Sequence, residues 1–497
     1  FPYNSLSYSS NYTFNIAANS IGDLGDNYIT SAISISFTTK SHPVITKGLY
    51  DFIVPDNGSL TDAIAAAGNR ADKTVRYRIF VKKGSYELKG DGNTITVDSN
   101  AGTTAASPIT TIGSPNISII GEDEDNTLIW NLPAYEGIGV TATIQLTSAA
   151  TGTYMQDLTL QNKYPYGNTT GRAVSLQDKS NKTICKQVKL LSYQDTYYSN
   201  NNSSRFYWED SELHGVVDFL CGGGDVFYNA CKLYVEARGG NGQVICAPGT
   251  PKKYGYVFSN CSIDGDAGAN GNYYLGRPWG ADIRAQYINT TMGIIPTTSG
   301  WTEMSGGYPK IMAEYNSVTS SGTSVDLTGR KKTFADTHTN KPTLTATEAA
   351  EYTISNVMGS DDEWDPTYYT EQAIVPQSVQ ISNGNLTWNN SDYVYCYAVC
   401  KNGNVIAFTT SNTYTVPADA TPTDLFSVRA ANEYGGLSRA SETASISTGI
   451  NEVTTSDTTN SSYYNLQGIQ VNKTYRGIVI KVVSTNGGNK KVSKIMK

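Results

Sequence analysis

A four-residue pattern recurs five times between residues 155 and 261 and leaves few folds open to this chain. An apolar residue is followed by small or polar residues and then by an alternating apolar pair. The copies are Met155-Gln156-Asp157-Leu158, Cys185-Lys186-Gln187-Val188, Trp208-Glu209-Asp210-Ser211, Tyr228-Asn229-Ala230-Cys231 and Phe258-Ser259-Asn260-Cys261. Their first residues are separated by 30, 23, 20 and 30 positions. From about residue 75 to 335 the surrounding sequence reads as short strands between Gly, Asn and Ser turns. A repeat of roughly 20–30 residues without helical periodicity points to a β-solenoid, in which each coil covers the apolar face of the last. A propeller needs about 40–45 residues per blade and fits less well.

Two carboxylates share one place in that repeat. Asp195 lies ten residues after Cys185, and Asp218 ten after Trp208. If these coils stack, the two aspartates lie one above the other, about 4.8 Å apart along the stack. Two carboxyls that close do not both ionise cheaply, so one is expected to hold a proton beside a charged neighbour. Aspartates at strand ends also cap turns, so the pair alone does not establish catalysis.

With 497 residues the chain is too long for one compact core. Residues 1–43 read as a strand-rich segment, an Ig-like remnant or an added edge, and 44–371 as the solenoid. Residues 372–447 alternate like a small β-sandwich and loosely resemble fibronectin type III modules; 448–497 are a polar linker and a Lys-rich tail. Ser59-Leu60-Thr61-Asp62 starts an Ala-rich helix that Gly68-Asn69 stops, and Thr345-Ala346-Thr347-Glu348 is a capping box for a helix running to about Met358. The tail, with Tyr464-Asn465-Leu466-Gln467-Gly468, is similar to C-terminal sorting or anchoring modules of secreted proteins of Bacteroidetes-type bacteria. The expected location is extracytoplasmic: secreted, periplasmic or cell-surface. A start at Phe1, without a methionine or leader, reads as a trimmed mature form.

Composition excludes several chemistries. A net charge of −7 without a basic patch argues against nucleic acid. No run of about 18 apolar residues exists to span a bilayer. Seven cysteines without a CxxC spacing make a zinc site unexpected, and Cys396 and Cys400 would sit roughly 13 Å apart on one strand face, too far to bridge. Buried free thiols are the expectation. Of three histidines, only His214 falls among the repeats, and no GxSxG elbow accompanies it, so it is expected to be structural. Thirty-five tyrosines suit carbohydrate faces and equally a plain β-rich extracellular surface.

The motifs in order resemble the pectin methylesterase family of right-handed parallel β-helices. Gln194-Asp195-Thr196, Asp218-Phe219-Leu220-Cys221-Gly222 and Leu275-Gly276-Arg277-Pro278-Trp279 match its QDT, DFxFG and LGRPW motifs. Arg172-Ala173-Val174-Ser175-Leu176 matches QAVAL upstream. The resemblance covers about residues 44–371 and implies a mainly β fold that removes methyl esters from galacturonan (pectin), as a monomer without metal or cofactor. It implies Asp218 as nucleophile, Asp195 as acid and then base, Arg277 as the ion-pair partner that lowers the Asp218 pKa, and Gln194 as oxyanion donor. Tyr198, Phe219 and Trp279 would line the sugar groove, with Arg172 as a further substrate-binding residue.

The chain departs from the family at three places. Arg172 replaces a glutamine, and could serve the oxyanion, clamp a free carboxylate or fold onto Asp195. Cys221 replaces an aromatic ring, so that one sugar-stacking wall is expected to be thinner or the pocket wider. Leu88 stands where the early GxYxE motif has its Glu. A non-catalytic pectin-binding β-helix, or a pectate lyase or galacturonan hydrolase on the same solenoid, are the competing readings.

Overall fold

The computed structural model describes residues 9–22, 27–39, 45–98, 101–165, 171–237, 242–359, 362–370, 374–446, 460–464, 470–471, 478–484 and 490–496. Residues 1–445 form one compact unit and 446–497 another. Within the second, strands Asn460–Tyr464, Gln470–Val471, Ile478–Ser484 and Lys490–Met496 make an antiparallel sheet. Of the expected tail motif only Tyr464 falls within the described residues.

The first unit is built around a parallel β-helix. The five copies of the repeat lie in register: Met155 pairs with Cys185, Cys185 with Trp208, Trp208 with Tyr228 and Tyr228 with Phe258. The unequal sequence intervals are therefore loops of different length on a constant stack. The third residue of each copy explains the pattern. Asp157, Gln187, Asp210, Ala230 and Asn260 all have φ between 47 and 56°, as do Asn289 and Asn316 in the next coils. This left-handed residue turns the chain between two sheet faces, and Asn and Asp tolerate the conformation best. Asn289 donates to Asn260 at 3.2 Å and Asn316 to Asn289 at 2.9 Å, stacking the corners.

Side-chain alternation divides the first residues of the repeat from their neighbours. Met155, Cys185, Trp208, Tyr228 and Phe258 point into the solenoid core. There Tyr228, Phe258 and Tyr287 stack at centroid spacings of 4.7 and 4.2 Å. Leu88 joins the same core, so the GxYxE departure is a packing residue. The preceding residues Tyr154, Ile184, Tyr207, Phe227 and Val257 point outward and are buried all the same.

Two later segments cover that outer face. Strands Gln380–Ser382, Asn385–Thr387 and Thr413–Thr415 form one three-stranded sheet, and Tyr397–Lys401, Asn404–Thr409 and Phe426–Ala430 another. Arg429 of the second sheet pairs with the corner residue Asp157 at 2.9 Å and donates to the Glu122 carbonyl at 2.8 Å. The Arg78 guanidinium lies 4.0 Å above the Tyr395 ring. Further along, Val357, Met358 and Trp364 pack on the same face.

Ser59 caps the helix Leu60–Asn69 with a complete capping box, as expected. The helix expected from Thr345 to Met358 is instead two, Ala346–Ala349 and Ile354–Gly359. Thr353 accepts from the Asn356 N–H at 3.1 Å, so its hydroxyl starts a second helix rather than continuing the first. Residues 11–38 contribute an antiparallel hairpin, Asn11–Ile16 with Ile33–Thr38. All seven cysteines are buried free thiols.

Candidate active site

A third face of the solenoid positions the chemistry. Strands Thr110–Ile112, Ile144–Leu146, Leu176–Asp178, Tyr197–Ser199, Val217–Gly222, Gln243–Pro248 and Tyr273–Gly276 stack as a seven-stranded parallel sheet. At its edge Arg172 bridges Gln194, and Gln194 bridges Val217. Each of the next residues, Asp195 and Asp218, therefore follows a stacked position, and the Asp195 N–H donates to the Val217 carbonyl at 3.2 Å. The coil register read from the repeats holds here too.

Both aspartates are left-handed, φ 61° at Asp195 and 48° at Asp218. Such residues outside glycine cost of order 1 kcal/mol or more and concentrate at functional sites. At Asp218 the cause is a β-bulge: the register with Gln243–Pro248 shifts between Val217 and Leu220. The extra residue bends the strand and re-aims its side chain.

The surroundings of the two carboxyls differ. Arg277 grips Asp218 by two hydrogen bonds, Nε to Oδ1 at 2.8 Å and Nη2 to Oδ2 at 2.6 Å. A fork that uses both oxygens as acceptors suits the carboxylate and leaves poor room for a proton. The expected lowering of the Asp218 pKa is corrected: burial at 3% exposure raises it, and the Arg277 hydrogen bonds and charge oppose that rise. Asp195 has no such fork. Burial, and then the negative charge of Asp218, push its carboxyl up to about 8. At neutral pH the pair thus favours one proton, on Asp195.

The Gln194 amide is half-buried and, among the described residues, makes no side-chain hydrogen bond, so its N–H groups remain available beside the pair. Cys221 is 1% exposed, and its thiol is among the neighbours that draw the Asp195 carboxyl down against burial. Its side chain is buried and is not part of the cleft surface itself. Arg172 neither folds onto Asp195 nor stands free. Its Nε donates to Glu136 Oε2 at 2.8 Å and its Nη2 to Oε1, and its own N–H donates to Oε2 at 3.1 Å.

Beyond Asp218 a cleft of about 250 Å³ is lined by Tyr198, Asn200, Asn202, Gly222, Gly223, Gly249, Thr250 and Trp279. Trp279 is 40% exposed and its ring lies 6.1 Å from that of Tyr198. Glycine is required at its floor: a Cβ on Gly222 would meet the Ser199 carbonyl oxygen at 2.3 Å. Two rings and several neutral amide and hydroxyl groups suit a polyhydroxylated ring with apolar faces. Phe219 is corrected: it is 0% exposed and packs in the solenoid core, because the bulge turns it inward as it turns Asp218 outward.

His214 lies outside the site. Its Nε2 is 2.6 Å from Glu212 and its ring stacks on Tyr234. Sequence reading missed Glu136 and the cleft residues Asn200, Asn202 and Thr250. An arginine beside a buried acid called for a counter-ion on the preceding coil, and that was the available signal for Glu136.

Comparison with known proteins agrees with the motifs. The pectinesterase family model matches residues 54–361. The chain is 27% identical over 251 residues to putative pectinesterase 11 of Arabidopsis thaliana, covering 50% of this chain and 62% of that protein. It is 26% identical over 330 residues to a pectinesterase of Sitophilus oryzae, covering 56% and 85%. The chain thus spans less than two thirds of the Arabidopsis relative. In fold it is similar to the pectin methylesterase from carrot (TM-score 0.51, 22% identity, 63% of this chain and 94% of that one). It is similar in the same way to PemA from Erwinia chrysanthemi (TM-score 0.50, 24% identity, 64% and 99%).

Proposed function

The chain belongs to the pectinesterase family, and from that premise we propose that it hydrolyses the methyl esters of galacturonate residues in pectin, releasing methanol. The observation that carries this reading is the asymmetry of the stacked pair: Asp218 is forked by Arg277, while Asp195 has no fork, and burial beside the Asp218 charge pushes its carboxyl up to about 8. Such a pair supplies a nucleophile and an acid from one residue type.

In the proposed sequence a carboxylate oxygen of Asp218 attacks the ester carbonyl carbon. The carbonyl π electrons move to oxygen, and the Gln194 amide donates to that oxyanion. Collapse breaks the bond to methoxide oxygen, which takes the Asp195 proton and leaves as methanol. The acyl group is then an anhydride of Asp218. Asp195, now a carboxylate, takes a proton from water as its oxygen attacks the same carbonyl, and Asp218 departs as carboxylate. The product acid loses its proton to solvent. Tyr198 and Trp279 hold the polymer beside the pair. A substrate of this kind lies outside cells, so an extracytoplasmic site of action is part of the proposal.

Methanol release from methyl-esterified galacturonan tests the reading. Turnover is expected; binding of galacturonan without methanol would instead support a non-catalytic binding protein. Replacing Trp279 by Ala should raise KM about tenfold with little change in kcat, because a sugar-facing ring contributes roughly 1.4 kcal/mol of binding shared by ground and transition states. A fall in kcat alone would mean that the ring acts elsewhere.

A further inference from the structure

The cleft beyond the catalytic pair has two unlike ends. A Cβ on Gly249 would meet the Trp279 ring at 3.3 Å, so the indole lies over that glycine. A Cβ on Gly223 would meet Asn202 Oδ1 at 2.4 Å and Thr250 Oγ1 at 2.8 Å, so these two side chains converge over the other. One end is therefore aromatic, Trp279 with Tyr198, and the other is polar, Asn202 and Thr250 with Asn200 nearby.

The polar end is uncommitted. The intervening Asn201 is spent on its own turn: its Nδ2 donates to the Lys179 carbonyl at 2.9 Å, and its Oδ1 accepts from the Ser203 N–H at 3.1 Å. Ser199 is spent on the Tyr256 hydroxyl at 2.6 Å and the Gly223 carbonyl at 2.7 Å. Among the described residues, Asn200 and Asn202 make no side-chain hydrogen bond, and Thr250 Oγ1 is shut off from solvent without a partner. A buried hydroxyl in that state calls for a partner from a ligand. Among the described residues, none that lines the cleft is charged. The cations that follow Thr250 are engaged elsewhere: Lys252 pairs with Asp225 at 3.4 Å, and Lys253 lies 4.8 Å from the Tyr254 ring.

Resting on the esterase reading above, we propose that this polar end is a subsite for a methyl-esterified galacturonate neighbouring the reacting one, and that Asn200, Asn202 and Thr250 select it over the free acid. Tyr198 lies three residues beyond Asp195 and Gly222 four beyond Asp218, roughly 10–13 Å of extended chain. That separation places the cleft under a sugar further along the polymer, not under the reacting one. An ester needs a donor for its carbonyl and an apolar surface for its methyl group, which the amides, the hydroxyl and the two rings supply. A carboxylate brings a full charge out of water, and compensating it takes an ionised partner such as the one that grips Asp218. Neutral donors return less. The enzyme therefore works within esterified stretches, where the residue on that side still carries its methyl group.

The test is calorimetric binding of trigalacturonides to the Asp195→Asn protein, which keeps the Asp218–Arg277 pair and lacks the acid for methanol departure. The trimers are esterified throughout, or carry one free acid at the first, second or third residue. A free acid at one terminal residue should weaken binding about tenfold or more relative to the full ester, and at the other terminus much less. Adding Asn202→Lys should erase that penalty for that trimer alone, because the cleft then holds a cation. Asn202 is exposed, and Asn200→Lys serves if the first variant does not fold. Equal affinity for all the trimers, or a penalty that both lysines leave unchanged, would overturn the proposal. Methanol release by the unsubstituted protein is a separate reading: the binding preference without any turnover would support the subsite and contradict the esterase.

Discussion

Replacing Asp218 by Asn should reduce methanol release by at least about 10⁴-fold while the protein stays folded. Removing a nucleophile from a concerted set costs that much or more, because the remaining groups have nothing to assist. Asparagine keeps the volume and one acceptor for Arg277 but has no anionic oxygen with which to attack. Alanine is the poorer variant, since it strands a half-buried guanidinium whose two hydrogen bonds at 2.8 and 2.6 Å now end on Asp218. Breaking a buried pair from one side costs about 3–5 kcal/mol, so loss of activity there would be confounded with loss of fold. The check is kcat at saturating substrate together with the thermal midpoint. Activity within tenfold of wild type would remove Asp218 from the chemistry.

Arg277→Gln is expected to have the next largest effect, of a different kind. Burial raises the Asp218 pKa, and Arg277 supplies both opposing influences, hydrogen bonding and charge. Without it the carboxyl should rise by about one to three units, and each unit makes the attacking form about tenfold scarcer at a pH below the pKa. The rate at pH 7 should fall by up to about 10³-fold, tenfold for each unit by which the raised pKa exceeds the pH. The sign is testable: Asp218 must be ionised, so raising the pH should recover part of the loss until Asp195, at about 8, gives up its own proton. The optimum should therefore move upward and narrow. Arg277→Lys, which keeps the charge but not the fork, should fall between. A uniform loss at every pH would point to substrate contact rather than control of Asp218.

The register of the coils was legible in the sequence because one residue type marks it. A left-handed corner needs Asn, Asp or another tolerant residue at a fixed place, and the apolar stack before it repeats with each coil. Counting from those marks put Asp195 and Asp218 in adjacent coils, as the pairing of Cys185 with Trp208 places them. Side-chain direction was not legible where a bulge intervenes. Phe219 lies beside Asp218 in a segment taken as groove-lining, but one inserted residue sends it into the core. Contacts across long intervals were invisible for another reason. Arg429 and Asp157 meet over 272 positions and Arg172 and Glu136 over 36, and neither pair belongs to the repeat. The net pKa of Asp218 was misjudged because pairing was counted and burial was not.

The division of labour between the stacked aspartates is tested most directly by the pH dependence of kcat/KM on a methyl-esterified oligogalacturonide. Protonated Asp195 beside ionised Asp218 requires a bell whose alkaline limb falls near pH 8, where the Asp195 carboxyl loses its proton. A rate that keeps climbing through pH 9 and 10 would contradict it, because the acid would then be gone and the reaction would not miss it.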